Sequence, residues 1–445
     1  MGATMDERLV YLIPYFFVSA CNWLQGPYFY AVYKTKFAPE DVENQLKNIY
    51  ICGYSMSLLS SIFAGFWTDK LGRKGASICC CVLYVCSCMS VYSNSIALLY
   101  VGRVLGGFAS TLFHTAFESW LNGSDIKKKI VNELFYLQTS IGGVVAILSG
   151  GIAHYSTEYF GLFGSFSVAA AFSTIGAMFI FLLWQENYGG TVVDTDKSHA
   201  TKENVPVASV LMAFVEKKGL LLLGLVQILF EGSMHVFIML WNPTIQNAAE
   251  NDYLNVNHQS HNLKISDVKP MLPPGVTFSV FMFALMLGSH CVAMLSKFTF
   301  VCPEQCLLIV FAIASAALYC ASESSYIASS GFMKSMGIEH YFANNIQILV
   351  YFFFILYEFS VGMYFPSVAV CRSRYIPNEM RATITSMYRV PQNLFVILLL
   401  RYRSDLKRNQ RLQLSSTALL SGAFIMLYLK RQMQRTHTVN KKKRE

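Results

Sequence analysis

Charge is scarce in this sequence. Asp, Glu, Lys and Arg make up 14% of its 445 residues, whereas 54% of the residues are hydrophobic; an average globular chain has about 25% charged residues. A soluble fold of this size could not cover its surface with so few charges, and the same figures exclude intrinsic disorder. No short repeat is present, which excludes collagen-like and coiled-coil fibres. The composition therefore predicts an all-α integral membrane protein.

Metal-ligand spacing and nucleophile clusters are missing as well. The twelve cysteines lie in or beside apolar stretches, and only Cys302 and Cys306 have a metal-like spacing. Pro303 and Glu304 stand between these two and are typical of the start of a helix. We therefore predict no metal, no cofactor, no disulfide and no enzymatic activity.

Twelve apolar runs are long enough to span a bilayer, because a helix needs about 20 mostly apolar residues to cross about 30 Å of hydrocarbon. The runs lie near 9–33, 48–68, 76–94, 96–121, 131–155, 160–184, 219–243, 275–296, 303–322, 342–371, 382–400 and 412–430. The first run lacks a positive n-region before it and a cleavage site after it. We expect a retained helix there rather than a signal peptide.

The runs form two groups of six, which predicts two six-helix bundles at residues 1–184 and 219–430. Residues 185–218 predict a cytosolic linker, 431–445 a basic cytosolic tail, and the polar segment 245–274 an outer loop. With both termini in the cytosol, most of the 35 Lys and Arg residues fall on the inner side. The net charge of +9 is then a topology signal that requires no nucleic acid. The basic outer loop 401–411 departs from this rule, and attraction of anions is the one explanation the sequence offers.

Residues 65–74 resemble the loop signature of the major facilitator superfamily at every fixed position. Gly65 allows a close approach of helices, and Gly72 permits a tight turn before the basic pair Arg73 and Lys74. Asp69 can bond across the cytosolic gap to a helix end or a basic side chain. We expect a gating latch that stabilises one access state; the alternative is an ordinary basic inner loop.

Charged side chains inside the spans are the next candidates. Arg103 lies in the fourth run, in a pattern similar to the superfamily's R-x-x-x-G. A charge at the bilayer centre costs about 2.5–3.5 kcal/mol on insertion scales, so Arg103 should face a polar cavity. His114 shares its helix face, and Glu118 lies near the cytosolic end of that helix. The alternatives are a structural ion pair for Arg103 and a packing role for His114.

The second half of the sequence also has charged and polar residues inside its apolar runs. Glu231 and His235 share one face of the seventh run, so Glu231 must be neutral, paired or water-lined. Glu358 lies deep in the tenth run, and Arg389 near the middle of the eleventh is the best candidate for an anion contact. Uncharged donors and acceptors in the predicted cavity are Asn22, Gln25, Tyr54, Gln392 and Asn393.

The sequence resembles the eukaryotic molybdate-anion transporter family of the major facilitator superfamily over nearly its whole length. The resemblance is carried by residues 22–28, 69–74, 102–107, 116–120, 186–188, 227–231, 240–243, 362–367 and 389–391. It implies two six-helix bundles and secondary-active uptake of molybdate, a tetrahedral dianion, by alternating access. Family members usually carry Asp where this chain has Asn22, which implies altered or absent proton coupling.

A dianion in a low-dielectric cavity favours two positive charges, which Arg103 and Arg389 would supply, one from each half. Candidates for counter-charge or proton coupling are Glu231, Glu358, Glu118, His114 and His235. Sulfate, an organic anion, or a non-transporting receptor or scaffold on the same fold remain the alternatives. We expect a monomer in the cell membrane. The dilysine-like residues 442–445 leave the endoplasmic reticulum open.

Overall fold

The computed structural model describes residues 6–188, 218–256, 268–295, 302–330, 334–337, 341–342, 344–376, 381–401 and 406–442. Up to residue 188 the helices are α1 (Glu7–Leu24), α2 (Phe29–Lys34), α3 (Val42–Leu71), α4 (Arg73–Ser90), α5 (Ile96–Asn122), α6 (Lys128–Phe160) and α7 (Gly164–Leu183). From residue 218 they are α8 (Lys218–Val256), α9 (Pro274–Leu295), α10 (Pro303–Ser322), α11 (Ser324–Ala328), α12 (Ile346–Tyr375), α13 (Arg381–Arg401) and α14 (Arg408–Lys442).

Each of the twelve predicted runs coincides with a helix of at least 18 residues in the described part of the chain. Eight of these helices are by themselves both long enough and apolar enough to cross a membrane. The division into two compact units falls between His199 and Ala200, except that Leu272–Val280 belongs to the first unit. Most of the predicted linker, residues 189–217, lies outside the described residues.

Three boundaries differ most from the prediction. The first run, 9–33, is broken: α1 ends at Leu24, and the backbone turns around Gly26 and Pro27 before α2 begins, because proline disfavours a helical conformation in the residue before it. The predicted outer loop at 245–274 starts later, since α8 continues to Val256. The last helix runs on to Lys442, so residues 431–442 of the predicted tail are helical.

A carboxylate explains why α8 is longer than its apolar run. Asp252, near the end of α8, accepts hydrogen bonds from the backbone N–H groups of Ile346 (2.6 Å) and Gln347 (3.0 Å). These N–H groups open α12 and have no partner within that helix. The polar extension of α8 therefore caps the N-terminus of α12.

The basic loop near 401–411 contributes to packing in the second unit. Arg408 donates a short hydrogen bond to the carbonyl of Pro243 in α8, and Arg411 is buried. Two of the basic residues that depart from the charge rule thus have a structural position within the fold.

An aromatic stack joins the helix ends of the first unit. The indoles of Trp120 and Trp184 lie 3.9 Å apart and nearly parallel, and Tyr11 stacks against both. The Nε1 of Trp184 donates to the carbonyl of Val10 at 2.9 Å, and the Nε1 of Trp120 donates to that of Gln185 at 2.8 Å. The stack therefore fixes α1, α5 and the segment after α7 together.

Candidate functional site

Arg103, in α5, carries a charge that no described residue of the first unit neutralises. Its guanidinium carbon lies 4.6 Å from the ring centroid of Phe29, the first residue of α2. The Nε of Arg103 is buried and has no hydrogen-bond partner, and among the described residues no carboxylate lies within ion-pair distance of it. The break between α1 and α2 thus supplies the ring that covers the guanidinium. The ion pair that was the alternative reading of Arg103 is not found among these residues.

Phenol groups complete the surroundings of Arg103. Tyr33 of α2 and Tyr50 and Tyr54 of α3 interact electrostatically with its guanidinium. Their rings pack as a continuous group with Phe29, at centroid distances of 4.4 Å to Tyr33 and 4.7 Å to Tyr50. Tyr54, a predicted site residue, therefore lies in the same group as Arg103. The result is a positive charge lined by neutral hydroxyl groups.

Two glycines let α3 and α5 approach each other beside this charge. A Cβ at Gly107 would stand 2.4 Å from the carbonyl oxygen of Gly53, and a Cβ at Gly53 would stand 3.1 Å from Nη2 of Arg103. Side chains at either position would displace backbone or the guanidinium. The space that the guanidinium occupies is therefore created by the helix crossing.

We expect Gly53→Val to move the guanidinium of Arg103 and to lower the apparent affinity for anion at least tenfold, with little change in the amount of folded protein. Gly151→Ala is the matched control, because a Cβ there would meet no described atom within 4 Å. Concentration-dependent uptake by both variants measures the effect. An unchanged KM in Gly53→Val would contradict the assignment.

The other predicted residues of the first unit lie apart from this group. Asn22 accepts a hydrogen bond from the Tyr84 hydroxyl at 2.9 Å, and the buried Gln25 donates to the carbonyl of Cys21 at 3.1 Å. His114 and Glu118 are exposed. In the described part of the chain, no hydrogen bond or ion pair joins any of the four to Arg103.

The loop signature is fastened by a carboxylate that the sequence reading did not assign. Gly72 adopts a φ of 89° between α3 and α4. Glu186, just after α7, accepts hydrogen bonds from the backbone N–H groups of Lys74 (2.8 Å) and Gly75 (3.0 Å), which open α4. A negative charge is favourable at a helix N-terminus. Glu186 lies in one of the segments that carry the family resemblance, which was its only sequence signal.

The remaining signature residues differ in how far their contacts reach. Asp69 pairs with Arg73 of the same loop at 3.1 Å, and Lys74 Nζ donates to the carbonyl of Phe181 at 2.8 Å. A Cβ at Gly65 would meet nothing within 4 Å among the described atoms, so no close helix approach is seen there. The expected latch across the cytosolic gap, from Asp69 to a helix end or a basic side chain, stays a prediction, since in this structure the carboxylate binds Arg73 within the signature itself.

Glu231 is paired in the second unit. Its Oε1 accepts a hydrogen bond from the Tyr364 hydroxyl at 3.2 Å and lies 3.3 Å from Nη2 of Arg372. The ring of Tyr364 stacks on Phe230 at 3.9 Å. A ring nitrogen of His235 lies 2.5 Å from the backbone carbonyl oxygen of Glu231. Of the three states that the sequence allowed for Glu231, the structure has the paired one.

Arg372 was missed because its charge appeared to end the tenth run. The sequence placed it in a cytosolic loop, whereas α12 continues to Tyr375. Arg374, two residues further on, pairs with the buried Glu304 of α10 at 3.5 Å. The last turn of α12 therefore carries two arginines, each paired with a carboxylate from a different helix.

The other candidates of the second unit are less defined. Glu358 is buried in α12 and makes no ion pair with another described residue. Gln392 in α13 is buried, with its Oε1 unpartnered among the described atoms, and Asn393 beside it is half-buried. Arg389 lies in α13, but its side chain falls outside the described part. A joint role with Arg103 remains a prediction.

The family model and the relatives that this chain matches are all transporters. The model of the family MFS_5, described as sugar transporters with 12 transmembrane spans, matches residues 5–351. The chain is 28% identical over 416 residues to a molybdate-anion transporter of Xenopus tropicalis, covering 91% of this chain and 81% of that protein. It is 25% identical over 420 residues to a molybdate-anion transporter of Takifugu rubripes, covering 88% and 78%.

Solved structures agree in fold. The nucleoside transporter NupG superposes with a TM-score of 0.63 at 13% identity, over 95% of this chain and 99% of that one. The inward-open xylose transporter XylE from E. coli superposes with a TM-score of 0.64 at 12% identity, over 94% of each chain. The prediction of the twelve-helix major facilitator fold is confirmed.

Proposed function

We propose that this chain, which belongs to the MFS_5 family of twelve-span sugar transporters, takes up molybdate or a closely related tetrahedral oxyanion by alternating access. Membership of this family makes it a multi-pass membrane transporter rather than an enzyme. The observation that carries the proposal is the guanidinium of Arg103, which has no counter-charge among the described residues and one buried, unpartnered N–H.

The charge of Arg103 favours an anion over a sugar. A neutral sugar would leave a guanidinium in a membrane span without compensation, whereas an anion about 4 Å away would gain about 4 kcal/mol per unit charge at an effective dielectric constant of 20. A guanidinium can offer parallel N–H donors to two oxygens of one oxyanion. The tyrosine hydroxyls around Arg103 can donate to further oxygens.

The names of the curated relatives support the same substrate. Both are called molybdate-anion transporters, and the alignment with each covers most of the chain. We propose molybdate as the first substrate on this ground, with sulfate as the second candidate because its charge and tetrahedral shape are similar. We propose Arg389 of the second unit as a further anion contact, on the ground of its position inside an apolar run of the sequence.

Protons are our candidate for the coupling ion. Two carboxylates of the second unit are candidates for the proton: Glu358, which is buried without an ion pair to another described residue, and Glu231, which pairs with Arg372. We further propose a monomer in the cell membrane with both termini in the cytosol. The excess of Lys and Arg on that side supports the orientation.

Uptake of labelled molybdate by cells that express this chain tests the proposal. We expect saturable uptake above that of cells with an empty vector, resistance to excess xylose, and stronger inhibition by unlabelled molybdate than by sulfate. Stronger inhibition by sulfate would transfer the assignment to that anion. Inhibition by xylose, or no uptake at confirmed surface expression, would contradict an oxyanion substrate.

A further inference from the structure

The pairing of Glu231 with Arg372 holds the arginine by only one of its N–H groups. Nη2 of Arg372 lies 3.3 Å from Oε1 of Glu231, while its Nε is buried and has no hydrogen-bond partner. Tyr364 donates to the same Oε1. A guanidinium binds most strongly when two parallel N–H groups meet two oxygens. Glu231 therefore binds only Nη2 of Arg372, and the Nε–H remains available to another acceptor.

The neighbouring pair on the same helix end has a different character. Glu304 is 5% exposed in its side chain, and its partner Arg374 is 47% exposed, so that arginine keeps much of its contact with the surroundings. Glu231 and Arg372 are 13% and 22% exposed, which leaves both charges partly enclosed but reachable. Of these two arginines, Arg372 has a buried N–H without a hydrogen-bond partner, whereas Arg374 has none.

The groups that face this pair are mostly neutral. Tyr364 and Arg372 come from α12. The Tyr388 hydroxyl of α13 donates to the carbonyl of Leu220 at 2.6 Å, and its phenol lies in the field of Arg372. His235 stands one turn along α8, and its ring bonds the backbone of Glu231. From α10, Phe311 contacts Phe230, the neighbour of Glu231 in sequence, and the charged residue of that helix, Glu304, pairs with Arg374.

The last helix against α8 also presents neutral groups at this level. One contact between the two helices is a hydrogen bond from the Ser233 hydroxyl to the carbonyl of Ser415 in α14, at 3.3 Å. Among the described side chains around the pair, Glu231 is thus the group that neutralises Arg372. Removing the charge of Glu231 would leave Arg372 with a net positive charge.

We propose that Glu231 and Arg372 form a proton-dependent anion site in the second unit, in which a tetrahedral oxyanion replaces Glu231 as the partner of Arg372 when Glu231 takes up a proton. This inference rests on the proposed function and adds a residue and a coupling step to it. The carboxylate of Glu231 gains one proton and forms an O–H bond. The ion pair with Arg372 breaks, and Arg372 pairs with the incoming dianion instead.

The step balances in atoms and in charge, because Glu231 holds the proton that enters. One proton enters for each anion that binds Arg372, and no oxidant or other reactant is needed. The Tyr364 hydroxyl keeps an acceptor, because a neutral carboxyl still has a carbonyl oxygen. When the anion leaves, the proton leaves Glu231 and the pair forms again. Arg372 is thus a binding residue, and Glu231 is the residue that makes its availability depend on protons.

Purified protein in liposomes tests this step, with labelled molybdate outside and an imposed pH gradient, acidic outside. We expect wild type to accumulate molybdate in the gradient at least fivefold over its level without one. Glu231→Gln should lose this stimulation and still exchange labelled for unlabelled molybdate across the membrane. Arg372→Gln should raise the KM of exchange at least tenfold, and the double variant should resemble Arg372→Gln.

Glu304→Gln is the matched control, because it neutralises the other carboxylate that pairs with an arginine of α12. It should keep the stimulation by the gradient. Size-exclusion chromatography establishes that each variant is folded, and the double variant removes both charges together in case a lone buried arginine prevents folding. Full stimulation in Glu231→Gln, or an unchanged KM in Arg372→Gln, would overturn the proposal.

The proposed function fails in a different way. If wild type transports molybdate but does not respond to the gradient, the coupling step is wrong and the oxyanion substrate stands. If wild type moves no molybdate in either condition, the substrate assignment is wrong and this site loses its ligand with it.

Discussion

Arg103→Gln is expected to lower kcat/KM for molybdate uptake at least a hundredfold. The variant keeps the approximate length and polarity of the side chain but removes a charge that the described residues of the first unit leave uncompensated. An interaction of about 4 kcal/mol per unit charge would correspond to roughly a thousandfold, and retained hydroxyl contacts reduce the loss. Initial rates of labelled uptake, normalised to surface protein, measure it.

Arg8→Gln provides the control for this prediction. Arg8 pairs with Glu133 at 2.9 Å, and both side chains are more than 40% exposed, so the pair is expected to contribute at most about 1 kcal/mol. Its uptake should stay within twofold of wild type. Arg103→Lys should recover part of the activity, because lysine restores the charge but not the parallel N–H donors of the guanidinium. Wild-type uptake in Arg103→Gln would remove the basis of the anion site.

Trp184→Ala is expected to have the largest effect on stability, lowering the free energy of unfolding by about 3–5 kcal/mol. The indole is 2% exposed, stacks on Trp120 and Tyr11, and donates to the carbonyl of Val10. Its removal leaves a cavity where α1, α5 and the segment after α7 meet. Thermal unfolding of the purified protein in detergent measures the change.

Two variants separate packing from hydrogen bonding at this position. Trp184→Phe keeps an aromatic ring but loses the bond to Val10, so it should be less harmful than Trp184→Ala. Tyr159→Ala is the control, because Tyr159 is 79% exposed and its removal is expected to change stability by less than about 0.5 kcal/mol. Equal losses in Trp184→Ala and Tyr159→Ala would show that the aromatic stack does not fix these helix ends.

The number and position of the long helices could be predicted because each is an apolar run of bilayer length. The runs at 303–322 and 96–121 match α10 and α5 within one residue at each end. Such agreement follows from the cost of placing polar backbone in hydrocarbon, which acts locally on each segment. It needs no knowledge of the neighbouring helices.

Boundaries were wrong where polar residues continue a helix. Both α8 beyond residue 243 and the last turn of α12 are polar or charged, and a hydropathy reading ends the run there. Their helices continue because the groups find partners: Asp252 caps α12, and Arg372 meets Glu231. Asp252 and Ile346 are 94 residues apart in sequence, and Glu231 and Arg372 are 141 apart, so nothing local could indicate these contacts.

The candidate site shows the same limit. Arg103 could be singled out because an arginine inside a span requires an explanation. The position of Phe29 over the guanidinium could not be predicted, because this position depends on the break after Leu24 and on a contact between α2 and α5. Glu186 was similarly invisible, since its role arises only when the segment after α7 reaches the start of α4.

Equilibrium binding of labelled molybdate to the purified protein tests the central claim most directly, because it separates recognition of the anion from transport. We predict saturable binding by wild type and by Arg8→Gln, displaced by unlabelled molybdate and untouched by xylose, and at least a hundredfold weaker binding by Arg103→Gln. Binding of equal strength in Arg103→Gln and wild type would contradict the claim that the uncompensated guanidinium of the first unit recognises the oxyanion.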